Sequence, residues 1–108
     1  MTKIELFSED LREISAFFKV LSHPARLAVL RYLAQTRTCI SGDISGELPL
    51  SRTTVQQHLA GLKKAGFIKG EIKGVKTNYC LNPENIGKIK QLMVQFLEEL
   101  NYANNEVC

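Results

Sequence analysis

The sequence predicts a mainly α-helical domain that carries one β-hairpin. Three observations lead there. Apolar residues recur at three- and four-residue steps in five separate stretches, the period falls to two between Phe67 and Leu81, and glycine or proline marks most of the changes. The chain has 108 residues, 44% of them hydrophobic and 23% charged, which fits one globular domain spanning residues 1–108 with a thin core. A partner that buries further apolar surface would complete such a core.

Each element has its own signal. Ser8 is placed to cap a first helix over 8–21, with Glu9 and Asp10 in the first turn where the helix dipole favours anions. Its apolar seam is Phe7, Leu11, Ile14, Phe18 and Leu21, a heptad-like spacing that Leu6, Phe17 and Val20 widen beyond what a lone surface helix needs. Ser22-His23-Pro24, a small polar cap and a proline in the first turn, opens a second helix whose apolar face reads as Leu27, Leu30, Leu33 and Ala34, and the polar run Gln35-Thr36-Arg37-Thr38 ends it. Residues 41–65 read as helix, tight turn, helix. Ile40, Ile44 and Leu48 mark a short first segment closed by Pro49, and Ser51 caps the second.

That second helix buries Val55, Leu59 and Leu62 and turns Arg52, Thr53, Gln56, Gln57, Ala60, Lys63 and Lys64 outward, until Gly66 terminates it. Residues 67–81 follow as two antiparallel strands with Gly74 at or near the tip, a hairpin too small to stand without helices behind it. Asn82-Pro83 breaks the strand. A last helix over 84–101 carries Ile86, Ile89, Met93, Phe96 and Leu100, a second heptad-like seam. About five helices and two strands in this order make a winged helix-turn-helix.

Charge is distributed in keeping with that layout. The formal net charge is only +3, but residues 51–82 hold six basic groups against one acidic group, and residues 1–22 and 83–108 are slightly acidic. A polyanion would be steered to the helix and hairpin. A helix of this size fits the DNA major groove, where arginine pairs with guanine, glutamine with adenine, and threonine offers a hydroxyl or a methyl. The candidate base readers are therefore Arg52, Thr53, Gln56 and Gln57. Ser51 at the helix start and Lys63, Lys64, Lys69, Lys73 and Lys76 are candidates for phosphate.

The three cysteines, Cys39, Cys80 and Cys108, are odd in number, widely spaced and without a CxxC pair. This argues against a disulfide framework and against structural zinc, and favours reduced thiols. No run approaches the roughly 20 apolar residues of a membrane span, and the first residues lack the order of a signal peptide, so a cytoplasmic protein is expected.

The segments LSHPARLAVLRYL at 21–33, SGDISGELPLSRTTVQQHLAGLKKAGFI at 41–68 and KGVKTNYCL at 73–81 resemble the signature stretches of the ArsR/SmtB family of repressors. The similarity runs over nearly the whole chain. It implies a homodimer joined through the first and last helices, with Phe7, Leu11, Ile14, Phe18, Ile86, Ile89, Met93, Phe96 and Leu100 at the interface. It also implies repression by binding an inverted repeat in double-stranded DNA, with release by a metal, metalloid or redox signal. Family wings often carry arginine after the tip glycine; here that residue is Val75, which leaves Lys73 and Lys76 for the phosphate contact. The family uses a histidine placed as His58 is for packing and hydrogen bonding, and His23 reads as a helix-start residue.

The family's usual sensor sites do not match. Aligned on Asp43, the two thiol places of an ELCxCD-like stretch hold Ile40 and Gly42, and Cys39 falls one residue early. The histidine and carboxylate site of the last helix lacks any histidine in residues 84–108. The cysteine trio is what remains: three thiolates suit arsenic(III) or another thiophilic ligand, and a thiol pair can report oxidants or persulfide. Cys39 and Cys108 are the favoured participants, since Cys80 reads as a small buried strand residue. The alternatives are a winged-helix regulator with no small-molecule ligand, or a winged-helix protein- or RNA-interaction module. No paired-carboxylate, Ser/His/Asp or metal constellation supports an enzyme.

Overall fold

A computed structural model of the chain describes residues 3–42, 44–71 and 78–101. A 3-10 turn, Lys3–Leu6, leads into α1, Glu9–Val20, and α2, Pro24–Thr36. A two-residue strand β1, Ile40–Ser41, and a 3-10 turn, Ser45–Glu47, precede α3, Arg52–Lys64. Strands β2, Ile68–Glu71, and β3, Asn78–Leu81, then lead to α4, Pro83–Glu99. The sheet is antiparallel in the order β1-β3-β2, with Ile40 opposite Tyr79 and Ile68 opposite Leu81.

The long helices fall where the sequence puts them, with caps that differ in detail. Ser8 is the N-cap of α1, yet its hydroxyl donates to Asp10 Oδ1 at 2.6 Å and makes no cap bond to the backbone. Asp10 also accepts the N–H of Leu11, and these two bonds hold its carboxyl below the usual 3.8. On α2 the N-cap is His23, not a small polar residue, and Pro24 fills the first turn. Ser51 Oγ caps α3 by accepting the N–H of Thr54 at 3.2 Å. The far end of α3 closes in a Schellman motif, with Gly66 N–H on the Lys63 carbonyl and Phe67 N–H on that of Leu62. Gly66 has φ +89, and a Cβ there would strike the Asn85 amide, so the terminator has to be glycine.

Two expectations are corrected. The segment from Ser41 to Leu48 is not a helix: Gly42 has φ +89 and breaks helical geometry, and Ile40 is drawn into a strand by pairing with Tyr79. Among the described residues one 3-10 turn is what remains there, the sheet gains a third strand, and the α-helices number four. The buried face of α2 is also different. Val29 and Leu33 are sealed, whereas Leu27 is 48% exposed and Ala34 is on the surface. Apolar residues occupy most sides of α2, so spacing alone points to its inner face poorly.

The core gathers Val29 and Leu33 of α2, Ile44 before the 3-10 turn, Val55, Leu59 and Leu62 of α3, Phe67 after it, Ile68 of β2, Tyr79 of β3 and Ile89 of α4. Phe17 of α1 meets it through an edge-to-face contact with Phe67, ring centroids 6.1 Å apart. Burying each of Val55, Leu59 and Leu62 stabilises the fold by roughly 1.5–3 kcal/mol. Cys39 and Cys80 are joined by a disulfide, which corrects the expectation of free thiols at these two positions. The bond spans 41 residues of sequence and includes α3 and the hairpin, and closing a loop of that length restricts the unfolded chain by about 4 kcal/mol.

Leu62 is 0% exposed at the centre of this core. Leu62→Ala is expected to cost about 2–5 kcal/mol in denaturant unfolding. A loss below about 1 kcal/mol would contradict this seating of α3.

Candidate nucleic-acid interface

The outer face of α3 follows from its inner one. With Val55, Leu59 and Leu62 buried, the helical repeat places Arg52, Thr53, Gln56, Gln57, Ala60, Lys63 and Lys64 on the opposite arc. Arg52, Thr53, Gln57, Lys63 and Lys64 are exposed, and Gln56 is half-buried. Lys69, on β2, is exposed beyond the end of the same helix. Lys73 and Lys76, the expected wing contacts, and the tip at Gly74 lie outside the described residues. Ser51 has its hydroxyl engaged locally, donating to Thr54 Oγ1 at 2.9 Å while it accepts from Thr54 N–H.

Arg26 was not recognised as a site-shaping residue in the sequence. Its guanidinium donates from Nε to His58 Nδ1 at 3.1 Å and from Nη1 to the Val20 carbonyl at 3.3 Å, tying the ends of α1 and α2 to α3. A Cβ at Gly61 would come within 2.7 Å of Arg26 Nη2. The available signal was a glycine in mid-helix, which costs helix stability and calls for a packing reason. His23 lies 5.6 Å from His58, ring centroid to ring centroid, so both histidines belong to this joint. Among the described residues no group of three His, Cys, Asp or Glu side chains is arranged to hold a metal ion.

The dimer-seam candidates divide. Ile14 and Ile89 are buried within the single chain, at 6% and 5% exposure. Both lie where α1 and α4 pack together inside the protomer. Phe7, Leu11, Phe18 and Leu100 remain exposed, and Ile86, Met93 and Phe96 are half-buried. Val94 and Leu97 add exposed apolar surface that the seam did not include. The sulfurs also divide: Cys39 pairs with Cys80 and not with Cys108, which lies outside the described residues.

A capped helix with a polar outer face, set behind a tight turn and running into a two-stranded hairpin, defines a winged helix-turn-helix regulator. Residues 21–71 match the family model of a helix-turn-helix domain. The cadmium resistance transcriptional regulatory protein CadC of Listeria innocua is 31% identical over 98 residues, 91% of this chain and 82% of the relative. The arsenical resistance operon repressor of Bacillus subtilis is 32% identical over 83 residues, 76% of this chain and 78% of the relative. Among solved structures, the homodimeric winged helix-turn-helix DNA-binding domain from Mycobacterium bovis shares the fold, with TM-score 0.55 and 20% identity over 91% of this chain and 89% of that one. The chain belongs to the ArsR family of winged helix-turn-helix transcriptional regulators.

The Arg26 joint generates a pH prediction. Partial burial first, then the charges of Arg26 and His23, hold the His58 imidazole below its usual 6.5. Only the neutral ring can accept the Arg26 hydrogen bond. Because the folded value is depressed, this stability is present above 6.5 and is lost as pH falls through the folded value. The melting temperature should therefore drop between about pH 7.5 and pH 5.5, and His58→Asn, whose acceptor does not titrate, should flatten that slope. An equal slope in the wild type and the variant would contradict it.

Proposed function

We propose that the chain is a homodimeric repressor that binds an inverted-repeat operator in double-stranded DNA through the outer face of α3. The single observation that carries this reading is the polar and basic arc of α3, exposed by a fully buried opposite face. Arg52, Thr53, Gln56 and Gln57 read base edges in the major groove, and Lys63, Lys64, Lys69, Lys73 and Lys76 neutralise phosphates along the helix and wing. The amide of Gln56 or Gln57 offers an acceptor and donors side by side, the pair that adenine presents in reverse.

Dimerisation is supported by the face that α1 and α4 leave uncovered. A cavity of about 410 Å³ there is lined by Ile4, Phe7, Leu11, Ile14, Phe18 and Phe96. Phe7, Leu97 and Leu100 are each more than half exposed, at 59%, 53% and 58%. Contiguous apolar surface of this kind marks an interaction site. Two protomers then set two reading helices about one helical turn of DNA apart, which is why an inverted repeat is the expected operator. Release from it by a thiol-linked signal is the mode of control that the cysteines support.

Three outcomes are expected. Affinity for duplex DNA from the gene's own upstream region falls with salt, by about 0.9 log units per log unit of salt for each phosphate neutralised. Affinity independent of salt would overturn the reading. In equilibrium binding, Gln56→Ala costs roughly 1–3 kcal/mol on the operator and relaxes base preference, whereas Lys63→Ala weakens all duplexes alike. Indistinguishable losses on every sequence would remove the assigned roles. Phe18→Asp and Leu97→Asp shift sedimentation from dimer to monomer, and an unchanged dimer would show that another face joins the protomers.

A further inference from the structure

The disulfide lies at a mechanically sensitive place. Cys39 follows α2 and leads into β1, the strand that precedes the 3-10 turn and α3, and Cys80 is in β3, the returning strand of the wing. The bond thus closes a ring that contains the turn, α3, β2 and the wing. It continues the β1–β3 ladder by one cross-strand pair, since Ile40 is opposite Tyr79 and Ser41 is opposite Asn78. That ladder has only two residue pairs, too few to hold β1 firmly by main-chain bonds alone. Tyr79, the neighbour of Cys80, is fully buried, so β3 connects the disulfide to the core behind α3.

The disulfide is also accessible. Cys39 is exposed and Cys80 half-buried, beside a hollow of about 320 Å³ lined by Leu33, Arg37, Cys39, Cys80, Leu81 and Pro83. Arg37 ends α2 with φ 60, the left-handed region that favours glycine, and this turn swings the chain back so that Cys39 faces Cys80. It also brings a guanidinium to the rim of the hollow. Exposed disulfides are the ones that exchange readily with solution thiols. A hollow with apolar walls and a cationic rim suits a small anionic thiol or disulfide.

We propose that Cys39 and Cys80 are a reversible dithiol–disulfide couple that reacts with anionic low-molecular-weight thiols and disulfides and sets the DNA affinity of the α3–wing unit, the oxidised form binding more tightly. The DNA arm rests on the reading of α3 given above. In oxidation, the Cys39 thiolate attacks a small disulfide RSSR, forms a mixed disulfide and displaces one RS⁻. The Cys80 thiolate then attacks Cys39 Sγ and displaces the second RS⁻. Two cysteine protons leave with the two thiolates, so two protein thiols and RSSR become one protein disulfide and two RSH. Reduction is the reverse, beginning at exposed Cys39. With the bond broken, β1 is held only by its two-pair ladder, and the wing's return strand loses its tie to the segment that sets up α3.

The test uses the full chain equilibrated with mixtures of reduced and oxidised glutathione, followed by alkylation and mass spectrometry. Cys39 and Cys80 should become labelled together in one two-electron transition, and Cys80→Ser should accumulate glutathione on Cys39. Arg37→Ala should slow the reaction with oxidised glutathione while leaving that with uncharged hydroxyethyl disulfide unchanged. On the upstream duplex, reduction should weaken binding by about tenfold, within the usual range of coupling between sites, and reoxidation should restore it. Cys39→Ser and Cys80→Ser should stay at the reduced value, and Cys108→Ser should keep the full response. Amide exchange in β1 and β3 should quicken on reduction without DNA present. Equal affinity and equal exchange in both states, or a response that needs Cys108, would overturn the proposal. Absence of DNA binding in both states would overturn the DNA reading instead, and the exchange and labelling results would then decide the couple alone.

Discussion

Val55, Leu59 and Leu62 are sealed against α2 and the first wing strand, and that seam decides which side of α3 faces outward. A helix rotated by a single residue, about 100°, would bury glutamine and expose leucine, an arrangement that desolvates polar groups without partners. The apolar seam therefore fixes the outward face of α3 by exclusion. The cap at Ser51 and the Schellman closure at Gly66 then fix where that face begins and ends. Arg26 sets the depth: its guanidinium fills the space over Gly61 and reaches His58, so α2 and α3 cannot approach more closely without displacing it.

From that seating the rest of the molecule follows as support. Phe67 leaves α3 directly into the core and carries the chain into β2, so the hairpin inherits its position from the helix. Within β2, Gly70 has φ +119, and a Cβ there would collide with the Asn78 main chain, so this close strand approach requires glycine. Asn85 at the start of α4 donates to the Gly66 carbonyl at 3.3 Å, which ties the terminal helix to the same cap. The apolar surface left on α1 and α4 is thereby held in fixed relation to α3. A second copy docked on it would place its own α3 just as firmly.

Much of this was legible because local signals and burial agreed. The Ser51 cap, the Val55–Leu59–Leu62 stripe, the Gly66 terminator and the Asn82-Pro83 break each have one dominant physical reading, and each appears as read. Where the reading failed, a tertiary partner had intervened. Ile40 keeps helical spacing with Ile44, but a strand 39 residues further on claims it. Leu27 has the same hydropathy as Leu33, and only the position of α3 and β3 decides which is inside. The cysteines show the limit most plainly. Spacing of 41 residues says nothing of contact until β1 and β3 are known to pair, and then it places Cys39 opposite Cys80. The seams on α1 and α4 show a related limit: a heptad stripe does not say whether its partner is the same chain or another, and Ile14 and Ile89 are already buried within one chain.

The central claim is that the arc of α3 beginning at Ser51 is the surface that meets DNA. Its most direct test is a titration of the isotope-labelled full chain with a duplex from its own upstream region, followed by backbone amide resonances. The account predicts that the largest shifts cluster at 51–57 and along β2, with the exposed faces of α1 and α4 unmoved. Shifts centred on α1 and α4, with α3 silent, would contradict it.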